Sequence, residues 1–443
     1  MMDATVTTKA TPGATTGLTS ATSSRQLTLW IVLLLLAACL PWMVYDWNTG
    51  RHSGFVLTML SQMGMMIIFA LSYNMLMGQA GLLSFGHAVF FGLGGYCTIH
   101  LLNAAEKGGL PVPIELMPIL AGLSGLGFGI AFGYMAAKQR ATAFAMITMG
   151  IGELIGTVAI MFHHFFGGEG GVSANRMIEK SLFGVSYAAP VEVFYLILVW
   201  TLIAALCMLF LTRTPLGAMA NATRDNFERA QFMGYDPRRV RFLQFALSGM
   251  FAGIGGGLYA ITYEIVTFDA VASALSANVV LMTYIGGATI FYGPILGAAV
   301  ITLMQSVLSL YSNSWLIYVG VMFIGMVTFA PSGLAGMIEA HGPIARAGRL
   351  RRLIVPYLRI SIPAIALLLG FVGLVELLGF LTIGQAQGKK LVLFGNKIDV
   401  RATMPWAVTT ALLVIGAAWL RVELRGFIRV WGDITADLKL RSV

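Results

Sequence analysis

Charged residues are scarce in this chain. They make up 11% of its 443 residues, against roughly 25% in ordinary soluble domains. Hydrophobic residues make up 58%, and the mean hydropathy is +0.82. Cysteine is also rare, and Cys39, Cys97 and Cys207 all lie inside apolar runs. These features exclude a soluble globular domain and a disulfide framework.

Residues that carry catalytic or metal chemistry are also few. The chain has no GxxxxGK[ST] phosphate-binding motif, so we do not expect it to hydrolyse ATP itself. Only His163 and His164, beside a glycine-rich run, suggest metal ligands. Adjacent side chains on a helix point about 100° apart, so we predict no metal site. Because no catalytic cluster is present, we expect a protein that is not an enzyme.

Long apolar runs dominate what remains. An all-helical fold follows, because lipid cannot satisfy exposed backbone groups and about 20 apolar residues cross a bilayer as a helix. We predict an all-α, polytopic transmembrane helical bundle with about 10 core helices and a two-helix C-terminal extension. The candidate spans are 27–45, 55–77, 82–102, 114–136, 141–165, 191–211, 242–263, 278–292, 294–311, 315–330, 360–381 and 404–420.

The net charge of +9 indicates orientation rather than nucleic-acid binding, because the basic residues lie in short loops beside apolar spans. Loops at Lys138, at 213–241 and at 346–359 all fall on the cytoplasmic side if the N-terminus does. The loop that holds Lys389 and Lys390 argues the other way. We therefore expect a lipid-embedded protein with no nucleic-acid partner.

Three regions are predicted along the chain. Residues 1–26, rich in Thr, Ser, Ala and Gly, are typical of a disordered leader. Residues 27–340 form the transmembrane domain, and residues 341–443 a basic linker with the two-helix extension. The run after Arg25 also fits a secretory signal with a lipoprotein-like box at Leu36–Cys39, although its length favours a first transmembrane helix.

Two stretches repeat glycine inside an apolar run, at residues 78–95 and 285–297. Glycine at such positions either permits close helix packing or breaks the helix where the backbone lines a cavity. Both interpretations place these stretches in the interior of the bundle.

A polar segment at 213–242 predicts a helix on the cytoplasmic side. Thr214 before Pro215 is a start signal, and Gly234 is a stop signal. Asp236 then caps the next helix. Within the segment, Arg224 and Glu228, and likewise Asp225 and Arg229, are spaced to pair on a helix surface. The segment either binds a partner or rests on the lipid headgroups.

Four motifs occur in a fixed order, and together they resemble one family. They are NMLMGQAGLLSFGHAVFFGLGGY from Asn74, GAMANATRDNFERAQFMGYDPRRVRFLQFALSGMFAGIGGGLYA from Gly217, IGGATIFYGPILGA from Ile285 and APSGLAGMI from Ala330. The region from about residue 55 to 340 resembles the permease subunits of branched-chain amino acid ABC importers, in particular the longer of the two permeases.

The resemblance implies a set of partners. They are two cytoplasmic ABC ATPases that use ATP, a second homologous permease and a periplasmic substrate-binding protein. It also implies a location in the bacterial inner membrane and no cofactor bound by this chain. The segment from 217 to 234 matches the helix that couples to the ATPase. Its motif positions are Gly217, Arg224, Asp225, Glu228, Ala230 and Gly234. Phe227 stands where the family has a carboxylate, which predicts a partly apolar ATPase contact.

Ionisable residues inside the membrane are candidates for the translocation path. They are His87 and Glu153, and we add Asn74 and Ser84 from the same motif as His87. A neutral His87 bonded to a backbone carbonyl is the alternative. Glu264 and Asp269 lie in a loop and are expected to be solvated.

The predicted function is passage of branched-chain, hydrophobic amino acids by alternating access. The alternatives are a urea or short-amide permease of the same kind, and a secondary transporter or channel that works without ATP.

Overall fold

The computed structural model describes residues 39–42, 45–46, 51–109, 112–139, 141–177, 181–384, 391–393 and 396–440. The predicted leader at 1–26 and most of the predicted span at 27–45 lie outside the described residues. Within them the chain is almost entirely helical, which confirms the all-α prediction.

The helices alternate with short polar connections and follow one another along the chain. They are α1 Gly54–Asn74, α2 Ala88–Glu106, α3 Met117–Ala136, α4 Ala141–Met161, α5 His163–Phe166, α6 Pro190–Arg213, α7 Pro215–Asp225, α8 Phe227–Phe232, α9 Pro237–Tyr263, α10 Ser273–Gly286, α11 Gly293–Leu303, α12 Ser309–Tyr311, α13 Trp315–Phe329, α14 Gly333–Arg346, α15 Arg351–Gly379 and α16 Thr403–Leu440.

Three antiparallel strand pairs complete the described elements. They join β1 Tyr45–Asp46 to β2 Arg51–His52, β3 Val172–Ser173 to β4 Ile265–Val266, and β5 Leu391–Leu393 to β6 Asn396–Ile398. Short π-helices at Met75–Gln79, Met304–Leu308 and Phe380–Gly384 extend α1, α11 and α15.

Nine helices in the described part of the chain are long and apolar enough to cross a membrane. The count reaches ten if α13 and α14, which meet at 45°, form one broken span. The chain is therefore a multi-pass membrane protein. Three basic residues mark one side of the bundle. They are Lys138 just after α3, Arg213 at the end of α6 and Arg238 at the start of α9. The positive-inside rule assigns this side to the cytoplasm.

Helix α9 lies at the centre of the bundle and packs against α1, α2 and α3. Small residues set these contacts. A Cβ atom added to Gly125 on α3 would overlap the carbonyl oxygen of Gly249, and one added to Gly94 on α2 would overlap Gly253. Close approach of backbones through small residues replaces the hydrophobic effect as a packing force between helices in lipid.

Several predicted spans are wrong in their extent. The last two are longer than predicted, since α15 begins at Arg351 and α16 ends at Leu440. Two others are broken or short. The span at 82–102 begins only at Ala88, because residues 80–87 are not helical. The span predicted at 278–292 is the 14-residue helix α10, which is shorter than a full crossing. It ends where Gly287, with φ of +108°, packs against Ser332 and Gly333. Glycine therefore breaks the helix in both glycine-rich stretches and also permits close packing beside the first break.

The two C-terminal helices form an antiparallel hairpin. Gly370 on α15 lies against Leu413 on α16, and Gly416 lies against Leu367. Near the start of α15 and the end of α16, Ile344 of α14, Leu353 of α15 and Ile434 of α16 form a small hydrophobic cluster. The basic segment predicted as a linker is helical except between α14 and α15, at residues 347–350. The division into domains near residue 341 stays a prediction.

Candidate functional site

The polar segment at 215–232 consists of two helices, α7 and α8, which we call the cytoplasmic helix pair. The prediction of one helix from Pro215 to Met233 is wrong, because Asn226 has extended backbone angles and caps α8. Its side chain accepts a hydrogen bond from the Arg229 amide at 2.9 Å. Asparagine competes with helical backbone bonding and favours such cap positions.

The break also removes the predicted side-chain pairs. Arg224 lies 3.0 Å from the adjacent Asp225 instead of meeting Glu228. The predicted pair of Asp225 and Arg229 is likewise absent from the ion pairs of the described residues. The spacing rule holds only on a continuous helix.

The ends of the segment follow the sequence signals in part. Gly234 has a φ of +84° and ends α8, and the Asp236 side chain caps α9 by accepting from the Arg238 amide at 3.0 Å. Thr214 differs from the prediction, since its hydroxyl donates to the Leu211 carbonyl at 2.6 Å. Gly217 is required here because an added Cβ atom would lie 2.6 Å from that same carbonyl oxygen.

Arg224 connects the cytoplasmic helix pair to the membrane domain. Its guanidinium donates to the carbonyl of Gly78 in the π-helix after α1. Its stem lies over Gly81, where an added Cβ atom would be 2.7 Å from the Arg224 Cγ atom. Gly81 has a φ of +66°, so it supplies both the turn and the space for this arginine. No local pattern in the sequence predicts this contact.

The end of the helix pair carries exposed apolar side chains. Phe232 is 90% exposed, and Met233 and Tyr235 beside it are also exposed. Glu228 is exposed and Ala230 is buried. Phe227 lies half-buried with its ring 4.9 Å from the Arg241 guanidinium, and its predicted contact with an ATPase stays a prediction. The most exposed apolar surface therefore lies at the end of α8.

Residues 80–87 form a loop inside the bundle, held by hydroxyl groups from three helices. The amides of Ser84, Phe85 and Ala88 donate to side-chain oxygens on α1, α4 and α10. The longest of these bonds are 3.3 Å. Side chains replace the missing helical bonds, which is how non-helical backbone is tolerated at membrane depth.

His87 is fully buried at the end of this loop. Its Nε2 atom lies 3.0 Å from the Ser72 hydroxyl, whose proton goes to the Phe69 carbonyl. Nε2 is thus assigned as the donor and Nδ1 as an acceptor. The predicted alternative, a bond from His87 to a backbone carbonyl, is wrong, because His87 bonds to the Ser72 hydroxyl. The Phe69 ring stacks on the imidazole at 5.4 Å.

Four residues in the same region have buried polar atoms without a partner in the described part of the chain. Among the described residues, buried side-chain atoms of Asn74, Gln79, Ser84 and His87 have no hydrogen-bond partner. Each such atom costs about 1–3 kcal/mol if it stays dry, and unsatisfied groups of this kind call for an explanation. The structure thus brings the candidates Asn74, Ser84 and His87 into one interior region.

Glu153 lies apart from these three. It is on the exposed side of α4, where it accepts a hydrogen bond from Ser273 at the start of α10. The neighbouring Gly152 packs on Gly86 of the loop. Met149 and Leu154 are exposed beside Glu153, so a carboxylate lies within an apolar surface.

A polar clamp on the opposite end of the molecule was missed by sequence reasoning. The Arg176 guanidinium lies 4.0 Å from Glu264 and donates to the carbonyls of Tyr187, Ala188 and Thr262. The Arg176 amide donates to the Glu264 carboxylate at 2.8 Å, so the expectation that Glu264 is merely solvated is wrong. The two partners are 88 positions apart, and no local pattern signals them.

A second carboxylate holds the same loop. Glu115 accepts from the hydroxyls of Ser181 and Tyr187 at 2.6 and 3.0 Å. Burial, and then the bond to Glu115, raise the pKa of Tyr187 above its usual value. Both groups fix the connection between α5 and α6. Within the described residues, no group of three His, Cys, Asp or Glu side chains could hold a metal ion.

Comparison with known proteins gives consistent matches. The family described as branched-chain amino acid transport system / permease component matches residues 55–331, more than half of the chain. The high-affinity branched-chain amino acid transport system permease protein LivM of Escherichia coli (strain K12) is 27% identical over 328 residues, or 69% of this chain and 74% of that protein. The protein of the same name from Salmonella typhimurium matches equally well.

The match to a third relative covers less of this chain. The probable branched-chain amino acid transport permease protein LivH of Methanocaldococcus jannaschii is 29% identical over 169 residues, 36% of this chain and 52% of that protein. No solved structure matches the chain significantly. The four motifs noted in the sequence all begin within the matched region, which confirms the resemblance.

Proposed function

We propose that this chain, which belongs to the family of permease components of branched-chain amino acid transport systems, is the transmembrane subunit of an ATP-driven importer. It would reside in the bacterial inner membrane. Its partners would be two cytoplasmic ATPases, a second permease and a periplasmic binding protein. Hydrophobic amino acids are the proposed cargo, as in the names of its relatives.

The observation that carries this proposal is the bond from Arg224 to Gly78. The end of the cytoplasmic helix pair presents an exposed apolar surface at Phe232 and the adjacent Met233. Exposed patches of this kind mark protein or membrane contacts, and we assign this one to an ATPase. The same helix pair is tied through Arg224 to the π-helix. That π-helix leads directly into the buried loop 80–87. A movement imposed on the helix pair by an ATPase would therefore reach the loop through a short, rigid path.

The proposed translocation path runs along this loop. Asn74, Ser84 and His87 supply buried polar atoms with no partner among the described residues, which suits transient contact with a polar substrate backbone. π-helical turns and broken helices often occur at functional sites in membrane proteins. Alternating access would arise as the loop and α10 rearrange between states.

The uncovered side of α4 is the proposed contact with the second permease. It is apolar at Met146, Met149 and Leu154 and carries Glu153 in its middle. A carboxylate at membrane depth is unfavourable against lipid. A protein partner or a water-filled path between two subunits would supply it with hydrogen-bond donors.

The test is transport by the reconstituted assembly. Proteoliposomes containing this chain, the second permease and the ATPases are supplied with the binding protein and radiolabelled leucine. We expect uptake that requires ATP inside the vesicles and the binding protein outside. Uptake driven by an ion gradient without the ATPases would refute the proposal and favour a secondary transporter. ATP-dependent uptake of urea or a short amide in place of leucine would overturn the substrate alone.

A further inference from the structure

A basic cavity opens at the cytoplasmic end of the bundle, between the last turn of α3 and the first turn of α9. Its volume is about 270 Å³, several times the space that one water molecule needs. Lys138, Arg238 and Arg239 line it, together with a single carboxylate, Asp236. This cavity is separate from the cytoplasmic helix pair and from the loop at 80–87.

The charges of this cavity are only partly neutralised. Asp236 lies 3.4 Å from the Arg239 guanidinium and also caps α9 through the Arg238 amide. The Lys138 ammonium lies 3.8 Å above the Tyr134 ring, in a cation–π contact. Three cations against one carboxylate leave an excess of two positive charges. Such a site attracts an anion.

Apolar residues line the rest of the cavity. Gly133, Ala137 and Phe242 line it beside the charges. Gly133 and Ala137 are buried, whereas the Tyr134 side chain is 65% exposed toward the surroundings of the bundle. Aromatic rings of this kind sit at the level of the lipid headgroups. The cavity thus combines cations with apolar walls at the height where a lipid carries its phosphate.

We propose that this cavity binds the phosphate-bearing headgroup of an anionic membrane phospholipid, such as phosphatidylglycerol. Lys138, Arg238 and Arg239 would contact the phosphate, and Tyr134 and Phe242 would contact the first part of the acyl chains. Basic pockets between transmembrane helices on the cytoplasmic side are suited to such headgroups. A bound lipid would join the ends of α3 and α9, the central helix of the bundle.

The test counts lipids retained by the full chain in its purified complex. Phosphatidylglycerol or phosphatidylcholine is titrated into the detergent-solubilised protein, and bound lipid is measured by native mass spectrometry. Each basic residue near an anionic lipid contributes about a fivefold gain in affinity. We expect the K138Q/R238Q/R239Q variant to bind phosphatidylglycerol about a hundredfold more weakly at this site. Phosphatidylcholine should bind weakly to both proteins.

Two matched variants keep the test independent of folding. D236N removes the only acid while asparagine preserves the helix cap, and should strengthen phosphatidylglycerol binding about fivefold. R346Q/R351Q/R352Q makes the same charge change elsewhere on the cytoplasmic side and should change nothing at this site. Equal retention of phosphatidylglycerol by the wild type and the cavity variant overturns the proposal.

Two other sources of binding are distinguished in the same experiment. Inorganic phosphate at the lipid concentration should not displace phosphatidylglycerol, because it lacks the acyl contacts. Full displacement would mean that the cavity binds the free anion, against the proposal. Loss of the ATPases from the cavity variant with unchanged lipid retention would identify the cavity as a protein interface, and would also refute it.

Discussion

In the proposed ATP-driven importer, replacing Arg224 by methionine should uncouple ATP hydrolysis from transport. Methionine keeps the length of the side chain but removes its charge and its hydrogen-bond donors. The bond lost is the one from the guanidinium to the Gly78 carbonyl. The pair with Asp225 contributes little, because the Asp225 side chain is 67% exposed.

The size of the effect follows from the nature of this bond. Hydrogen bonds that involve a charged group stabilise by about 1.5–3 kcal/mol. The Arg224 side chain is 35% exposed, so solvent screening places the value at the lower end, about 1.5 kcal/mol. If this bond transmits the movement, the ratio of leucine transported to ATP hydrolysed should fall roughly tenfold.

The assay measures uptake and phosphate release in the same proteoliposomes. Arg229→Met is the matched control, because Arg229 is exposed on α8 and the structure gives its guanidinium no ion pair within the described residues. Arg224→Lys should be intermediate, since an ammonium can reach one acceptor but lacks the planar fork. An unchanged transport ratio in Arg224→Met, with protein still inserted and assembled, would refute the reasoning.

Three further predictions concern stability. Gly125→Val should lower the free energy of unfolding by about 1–3 kcal/mol through overpacking against α9, whereas Gly127→Val on the same helix meets open space and should be neutral in a thermal-shift assay. Arg176→Lys should lower the thermal midpoint, because one ammonium cannot reproduce the bonds to Glu264 and three carbonyls; an unchanged midpoint would contradict the clamp. The raised pKa of Tyr187 favours the folded state in its protonated form. Its contribution is complete below the unfolded value of about 10 and is lost as the pH rises above it. The wild type should therefore lose stability relative to Tyr187→Phe above about pH 10, and parallel pH profiles would refute this.

Local signals predicted the elements that depend on local physics. The apolar runs identified most of the long spans, because crossing lipid requires about 20 apolar residues in a helix. Gly234 and Asp236 marked the end of α8 and the start of α9, since left-handed backbone and side-chain capping are properties of single residues. The order of the four motifs predicted the family.

Other features depended on contacts between distant residues. The break at Asn226 and the short helix α10 were missed, because an asparagine or a glycine in a helical pattern does not reveal whether the helix continues. The anchor of Arg224 on Gly78 spans 146 positions. The Arg176 clamp joins the loop before α6 to the end of α9. Neither of these two contacts can be predicted from hydrophobic periodicity or local spacing in the sequence.

The sequence by itself thus determined that the chain is a multi-pass helical membrane protein of this transport family. Hydropathy and motif order depend only on the identity and order of the residues. The tertiary structure alone decided which polar groups meet. It brought Asn74, Ser84 and His87 into the interior, left Glu153 on the exposed side of α4, and tied the cytoplasmic helix pair to the buried loop. The physical reason is that hydrogen bonds and close packing depend on distance in space, and the fold sets that distance.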